Sequence, residues 1–418
     1  MRRRDYRWLG VMIILAVCLR LTAMALVGAS HVPWEIEFEE IADHLVESGQ
    51  YRFSFYRLTP ALPTSFIPPV YPLLLAFTRV LGGTNSNFIL QLIQIGLSCL
   101  VILFLYRLII DLGGNPRQGL LAAFIGAVYP PFISYAVDIS TTTIETFFVM
   151  LGIWMAVRAA KNRSLGSAIL CGVSLAMATL TRPTWISILP LIPLWWLFYL
   201  WKQWGRWLKA SLVMGATAIL VLSPWIIYNY TIQGIFMVTS TNGGLNFWIG
   251  NNPRATGEYI FPTQIDESLV ASSLKMSEVE RDHFFYRQGW QFIQEHPAQF
   301  IKLAGRKLIY FAFFRPNIGS SVEAAQYQMF DIVKLGFIIT WLAMLPFAVL
   351  GLLTLKEKWR EHSLLVLVFI IQALITMMYF AGTRFRTPID GLVIIWFVLG
   401  LSVVLPYLRD YSSSIIQR

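Results

Sequence analysis

The sequence predicts an all-α polytopic membrane protein with about ten transmembrane helices, and three observations carry that reading. Only 13% of its 418 residues are charged, where a soluble domain carries about a quarter. Hydrophobic residues make up 56% of the chain, and the mean hydropathy is +0.60. Apolar runs of about 20 residues, the length that crosses a bilayer as a helix, recur from end to end. The net charge of +10 would suggest a nucleic-acid ligand in a soluble chain. Here the basic residues gather between apolar runs, so the positive-inside bias accounts for them and no nucleic-acid partner is expected.

Taken in order, the first span is expected near 8–30. The opening "MRRRDYRWLGVMIILAVCLRLTAMALVGAS" has the layout of a signal peptide, but its apolar stretch is long for one that is cleaved, so it reads as an uncleaved span. Further spans are expected near 87–110, 119–136, 143–160, 165–181, 184–201, 210–230, 328–354, 363–381 and 389–407. Arg2, Arg3, Arg4 and Arg7 precede the first; Arg107, Arg117, Arg158, Lys161, Arg163, Lys202, Arg206, Lys209, Lys356, Lys358, Arg360, Arg409 and Arg418 follow alternate spans. All fall on one side of the membrane, which makes that side cytoplasmic in a multi-pass protein of the inner (plasma) membrane. Cys18, Cys99 and Cys171 lie inside apolar runs and offer neither a disulfide framework nor a CxxC metal site.

The opposite, periplasmic or outer face then receives two large loops, 31–86 and 231–327. This gives three segments: an N-terminal catalytic transmembrane module (1–230), a helical outer loop (231–327) and C-terminal transmembrane helices (328–418). "PPVYPLLLAFTRVLGG" (68–83) is too short to span and reads as an interfacial helix. In the second loop Ser277 and Glu280 have the spacing of a capping box, and Pro297 stands where the first turn of another helix begins. That loop is expected to fold as a small helical cap.

Four constellations could carry chemistry. "WEIEFEEIADHLVESGQY" (34–51) holds five glutamates and one aspartate. On a helix from about 35 to 48, Glu37, Glu40 and His44 share one side, and Glu39, Asp43 and Glu47 another. A solvated helix face explains most of these acids; the functional alternative is that one takes a proton from an incoming nucleophile. In "YAVDISTTTIETFFVM", Asp138 sits in a short outer loop and Glu145 at the head of a span. An acid there is either a dipole partner behind a Thr141–Thr143 cap or functional. Arg182, Arg315, Arg384 and Arg386 run against the charge bias on the outer face. They suit lipid headgroups or, because the guanidinium fork matches phosphate oxygens, a phosphate held at the interface. "STNGGLNFWIGNNPRATGEY" (240–259) reads as turn-rich; Trp248 and Tyr259 offer rings for a sugar to stack on, and Asn251 and Asn252 offer hydrogen bonds. Tyr71 in the interfacial helix is a further substrate-binding candidate. P-loop, GxGxxG, HExxH and GxSxG patterns are missing.

In their order these stretches resemble a known family. "EFEEIADHLVESGQY", "PTSFIPPVYPLLLAF", "TTTIETFF", "MATLTRPTW", "SPWIIYNYTIQGIFMVTSTNGGLNFWIGNNPRATGEY", "QEHPAQFIKLAGRKL" and "RFRTPIDGLVI" together resemble the GT-C membrane glycosyltransferases. The nearest branch comprises bacterial enzymes similar to protein O-mannosyltransferases and to the transferase that adds aminoarabinose to lipid A. The resemblance covers nearly the whole chain, and its weight lies in seven weak motifs keeping one order. It implies a helical bundle with interfacial helices in a large first outer loop, a sugar donor on a polyprenyl phosphate, and transfer with inversion. The base it implies is an acid of the first loop, Glu37 by its spacing before "EEIA", with Glu35 the alternative; a second acid maps to Glu145. Two departures stand out. Several relatives begin this loop with Asp-Glu, and the Asp position is Trp34 here. Some relatives place a donor-phosphate lysine where Pro68 stands here, which leaves Arg384 or Arg182 to serve.

The scheme is physically coherent. A polyprenyl tail stays in lipid, so its phosphate stays at the interface; a carboxylate deprotonates the hydroxyl of a lipid, glycan or protein acceptor while arginines balance charge on the leaving phosphate. It requires no metal and no cofactor. The rival is a multi-span transporter or flippase of lipid-linked substrates, for which internal repeats, broken mid-membrane helices and charges within spans would be expected.

Overall fold

The computed structural model describes residues 3–27, 36–313, 330–355 and 358–416. The chain opens with α1 (Arg3–Val27), followed in the first loop by α2 (Ile36–Ser48), a two-strand ribbon β1 (Arg52–Phe53) and β2 (Leu62–Pro63), and α3 (Val70–Gly82). Then come α4 (Ser86–Asp111), α5 (Pro116–Val128), α6 (Pro130–Val137), α7 (Thr142–Asn162), α8 (Leu165–Thr181), α9 (Ile188–Tyr199) and α10 (Trp204–Gln233). The second loop holds α11 (Gly243–Gly250), α12 (Pro262–Ile265), α13 (Glu267–Ser273), α14 (Glu278–Glu295) and α15 (Pro297–Ala312). The bundle closes with α16 (Phe330–Leu353), α17 (Trp359–Met378) and α18 (Thr383–Ile416).

Among the described residues, seven helices are long and apolar enough to cross a membrane, or eight if the bent pair α5–α6 counts as one span. The count of ten spans is not confirmed, and helix length says where the difference lies. α8 has 17 residues and α9 has 12, shorter than the helices counted as spans, although α8 runs antiparallel to α7 and brings Arg182 back to Glu145 at the head of α7. α3 runs on through a short turn into α4, so 70–111 forms one apolar stretch of 42 residues, more than one crossing takes.

The bend between α5 and α6 follows from Pro130 and Pro131. Proline disfavours helical backbone in the residue before it, and Tyr129 is extended (φ −67°, ψ 115°). The two prolines also lack the N–H groups that would bond the carbonyls of Gly126 and Ala127. Arg20 of α1 supplies the donors: its guanidinium reaches Ala127 O at 3.1 Å, Gly126 O at 3.5 Å and Ser98 Oγ at 2.9 Å. A fully buried arginine inside an apolar helix thus has a structural reason. α4 completes the repair with a polar stripe on one face. Gln91 donates to Val137 O at 2.8 Å, Gln94 to Asp138 O at 2.7 Å and Ser98 to Phe132 O at 3.1 Å.

The largest cluster of buried apolar residues lies between α4, α7, α8, α9, α17 and α18. α16 and α18 cross with glycine against backbone: a Cβ on Gly351 would stand 1.9 Å from Trp396 O, and one on Gly400 1.9 Å from Phe347 O. Small residues let apolar helices approach this closely. A second cluster, with Phe38, Ile41, Phe53, Phe66, Tyr71, Trp248 and Phe285, binds the first loop to the second. The second loop has the expected helix signals: Ser277 and Glu280 form the reciprocal capping box, and Pro297 opens α15.

Candidate active site

The site is assembled from α2, the turn after it, the segment behind α11 and the start of α18. α2 has an amphipathic sequence and buries Phe38, Ile41 and Ala42, which fixes where its acids point. Glu39 is paired with Arg79 of α3, and Arg79 also reaches Asp43 at 2.8 Å and the Glu39 carbonyl at 2.8 Å. Glu40 accepts from Ser54 N at 2.7 Å and Ser54 Oγ at 2.5 Å. Glu47 is exposed. Glu37 points elsewhere, to the hydroxyl of Tyr56 and toward Tyr259. Glu35 and Arg315 lie outside the described residues.

Tyr56 is held in an uncommon conformation. Its backbone is left-handed (φ 48°, ψ 36°), and Arg57 follows at φ 59°. Such conformations cost about 1–3 kcal/mol each and persist only where the surroundings enforce them. The turn is pinned by Glu40 on Ser54, by the Phe55 N–H on Thr59 Oγ1 at 3.1 Å and by the Arg281 guanidinium 4.3 Å over the Phe55 ring. Tyr56 packs on Phe261 at 5.0 Å between ring centroids. Burial pushes its hydroxyl well above the usual range, and Tyr259 and Glu37 push it further. Tyr259 is raised likewise by burial and then by Glu37, with Arg384 opposing.

Arg384 continues the line. Its guanidinium lies 5.0 Å over the Phe385 ring, and that of Arg182 lies 4.9 Å over the same ring. Aromatic packing from Tyr259 through Phe380 to Phe385, at 5.5 and 5.4 Å, lines this path. One carboxylate, two tyrosine hydroxyls and two guanidinium groups therefore gather at the loop-bearing end of the bundle.

Other sequence candidates sit differently. Glu145 is 1% exposed; it accepts from Arg182 Nε at 2.7 Å, Thr141 Oγ1 at 2.6 Å and Trp185 Nε1 at 3.1 Å. These donors occupy the carboxylate, so it orients Arg182 and has no open edge for substrate. Thr141, expected as a cap, bonds the Glu145 side chain instead. Arg386 is buried against Trp341, 3.5 Å from the ring centroid, and bonds Asp390 at 2.9 Å and Phe311 O at 2.9 Å. It ties α18 to α15 below the site and does not face a phosphate. Tyr71 is buried edge-on against Phe38, and Trp248 is buried against Phe285 at 4.9 Å; neither ring is open to a sugar. The turn-rich reading of 240–252 is corrected in part, because Gly243–Gly250 is helical. Asn251 and Asn252 are buried at its end and bond backbone: Asn251 donates to Phe247 O and Met378 O and accepts from Lys307 Nζ at 3.1 Å, and Asn252 donates to Trp248 O.

Two residues that sequence reasoning passed over matter here. Tyr56 has no sequence signal, since a loop tyrosine looks like any other. Glu278 bridges the two loops, accepting from Thr64 Oγ1 at 2.8 Å, Ser65 N at 2.8 Å and Thr241 Oγ1; its place at the start of a capped helix was visible, its partners were not.

Comparison with known proteins gives this arrangement a setting. Residues 67–228, under half of the chain, match the family described as dolichyl-phosphate-mannose-protein mannosyltransferase. No curated protein matches the chain by sequence. Among solved structures, the Archaeoglobus fulgidus oligosaccharyltransferase in its apo form is 13% identical, with a TM-score of 0.54 over 98% of this chain and 51% of that one. The same enzyme tethered to an acceptor peptide with the NVT sequon is 14% identical, with a TM-score of 0.57 over the same shares. The ArnT of Cupriavidus metallidurans bound to undecaprenyl phosphate is 12% identical over 94% of this chain and 77% of that one, at a TM-score of 0.42. The chain spans about half the length of the archaeal enzyme. It shares the GT-C-type fold of that enzyme.

Proposed function

We propose that this protein is a membrane glycosyltransferase that moves a sugar from a polyprenyl-phosphate donor to a hydroxyl of a lipid, glycan or protein acceptor. The observation that carries the reading is the convergence of Glu37, Tyr259, Arg384 and Arg182 at the loop-bearing end of a GT-C-type bundle. The positive-inside bias supports an outer-face position for that end.

Glu37 is the general base. The acceptor oxygen attacks the anomeric carbon as its proton passes to the Glu37 carboxylate. The bond from that carbon to the phosphate oxygen breaks on the opposite side, so configuration inverts and the polyprenyl phosphate leaves. Charge growing on the phosphate meets Arg384 and Arg182, whose planar forks suit its oxygens. Glu145 acts through Arg182 and is a positioning residue. Tyr56 holds the Glu37 carboxylate in one orientation, which shortens the search for reactive geometry.

The test is mass spectrometry of cellular lipids and envelope glycans with and without the gene. A glycan that disappears on deletion and returns with the wild-type gene supports the reading and names the sugar. Identical profiles, or accumulation of an unmodified lipid-linked substrate on one leaflet alone, would overturn it in favour of transport.

A further inference from the structure

The first turns of α14 grip both outer loops. Ser277 caps the helix, and Glu278, Arg281 and Asp282, at i, i+3 and i+4, share one side of it. Glu278 accepts from Thr64, Ser65 and Thr241. Asp282 accepts from Gly244 N, and α11 lies so close that a Cβ on Gly244 would stand 1.9 Å from Asp282 O. Arg281 is bound differently, and among the described residues no carboxylate forms an ion pair with it. Its Nε donates to Ser273 O at 3.2 Å and its Nη2 to Met276 O at 3.3 Å. These bonds fix the guanidinium plane, which lies 4.3 Å over the Phe55 ring of the first loop. A cation attracts a ring face more strongly where water is kept out. Phe55 is 3% exposed, and burial draws the Arg281 pKa below its usual value, with Glu278 opposing.

What Arg281 grips is the entry to a strained turn. Phe66 meets the Phe55 ring edge-on at 5.7 Å, so that ring sits between the first loop's own core and a cation from the second loop. The next two residues, Tyr56 and Arg57, are both left-handed. The turn closes with Arg57 N on Ser54 O at 3.1 Å and Leu58 N on Phe55 O at 2.9 Å. Left-handed backbone at non-glycine residues persists only where neighbours enforce it. Here it aims the Tyr56 hydroxyl at Glu37. Freeing the Phe55 ring lets the turn relax toward right-handed backbone and carries the Tyr56 hydroxyl off the carboxylate.

We propose that Arg281 is a positioning residue for the transfer: through Phe55 and Tyr56 it fixes the orientation of the Glu37 carboxylate. The second outer loop is then part of the catalytic apparatus and not only a cover over it. The proposal rests on the reading of Glu37 as the base.

A double-mutant cycle tests this. The purified full chain in non-ionic detergent is supplied with solubilised membranes of deletion cells as the source of donor and acceptor, and product is followed by mass spectrometry. Misplacing a reacting group by an ångström costs about a hundredfold in rate, so Arg281→Met should lower turnover by about tenfold to a hundredfold. Added to Glu37→Gln, it should cost nothing further, because the group it positions is already inactive. A merely structural role would cost the same in both backgrounds. Amide exchange reads the grip without any substrate: Phe55, Arg57 and Leu58 should exchange about tenfold faster in Arg281→Met. Phe55→Leu removes the ring and leaves the cation, and it should reproduce both effects, which keeps the test decisive where Arg281→Met melts early. Wild-type turnover by Glu37→Gln would remove the base and this proposal with it. A normal loss in Glu37→Gln beside wild-type turnover in Arg281→Met, equal losses in the two backgrounds, or unchanged exchange at the turn would overturn this proposal alone.

Discussion

Replacing Arg20 with methionine would remove the donors that serve Gly126 O and Ala127 O, the carbonyls orphaned by Pro130 and Pro131. A buried polar group stripped of its partner costs about 1–3 kcal/mol, so Arg20→Met should lower the melting temperature in detergent clearly, and an unchanged melting curve would contradict the account of the bend. Arg384→Lys keeps the charge and loses the fork. With a charge-assisted bond worth about 1.5–3 kcal/mol, the donor KM should rise tenfold or more while the fold is retained; wild-type turnover across a full donor titration would remove Arg384 from the site. At this scale the sequence was legible where charge stood against the local bias. Arg182 and Arg384 were visible as cations on the acid-bearing face, and both lie over Phe385. Arg386 carried the same signal but is spent on Asp390 and Phe311, because an i,i+4 acid can take up an arginine without leaving any trace in local charge bias. Trp248, Asn251 and Asn252 were misread because a Gly- and Asn-rich string looks like a turn, whereas here the asparagine amides finish a buried helix.

The helical cap formed by α11 and α14 depends on two ionisable groups with opposite pH behaviour. Asp282 accepts from Gly244 N at 2.6 Å, and burial, with Glu278 adding, pushes its carboxyl from 3.8 up to about 7 against that hydrogen bond. Lys307 holds Asn251 and Met377 O, and burial brings its ammonium from 10.5 down to about 7. The folded cap therefore retains a proton on Asp282 that the unfolded chain loses, so this contribution falls as pH rises from about 4 to 7. It sheds a proton from Lys307 that the unfolded chain keeps, so that contribution rises from about pH 7 to 10. The opening free energy of α11, read from amide hydrogen exchange, should pass through a minimum near neutral pH. Asp282→Asn should flatten the acid limb and Lys307→Met the alkaline limb; a monotonic profile would sink the assignment. Element boundaries were legible wherever a local signal sets them, as with Ser277, Glu280 and Pro297. Span number was less so, because hydropathy does not show how short a helix is or where it bends, as with α8, α9 and the α5–α6 pair.

For the whole molecule, the proposal needs both large loops on the outer face. Gln264 is exposed in α12, so a Gln264→Cys variant should react with a membrane-impermeant maleimide on intact cells; reaction only after lysis would invert the topology and with it the site. The overall architecture was legible because apolar runs, basic clusters and seven ordered motifs constrain the same arrangement independently. What joins the loops was not, since Glu278 bonding Thr64 and Ser65 spans about two hundred residues of chain. The central claim is that this bundle performs transfer with Glu37 as its base. Gln has nearly the shape of Glu and cannot accept the proton, and a positioned base contributes about 10²–10⁴-fold in rate. The direct measurement is turnover by purified Glu37→Gln at saturating donor, beside wild type and Glu47→Gln. The account predicts a loss of that size in Glu37→Gln with unchanged melting temperature and donor binding, and near wild-type rates in Glu47→Gln; wild-type turnover by Glu37→Gln would contradict it.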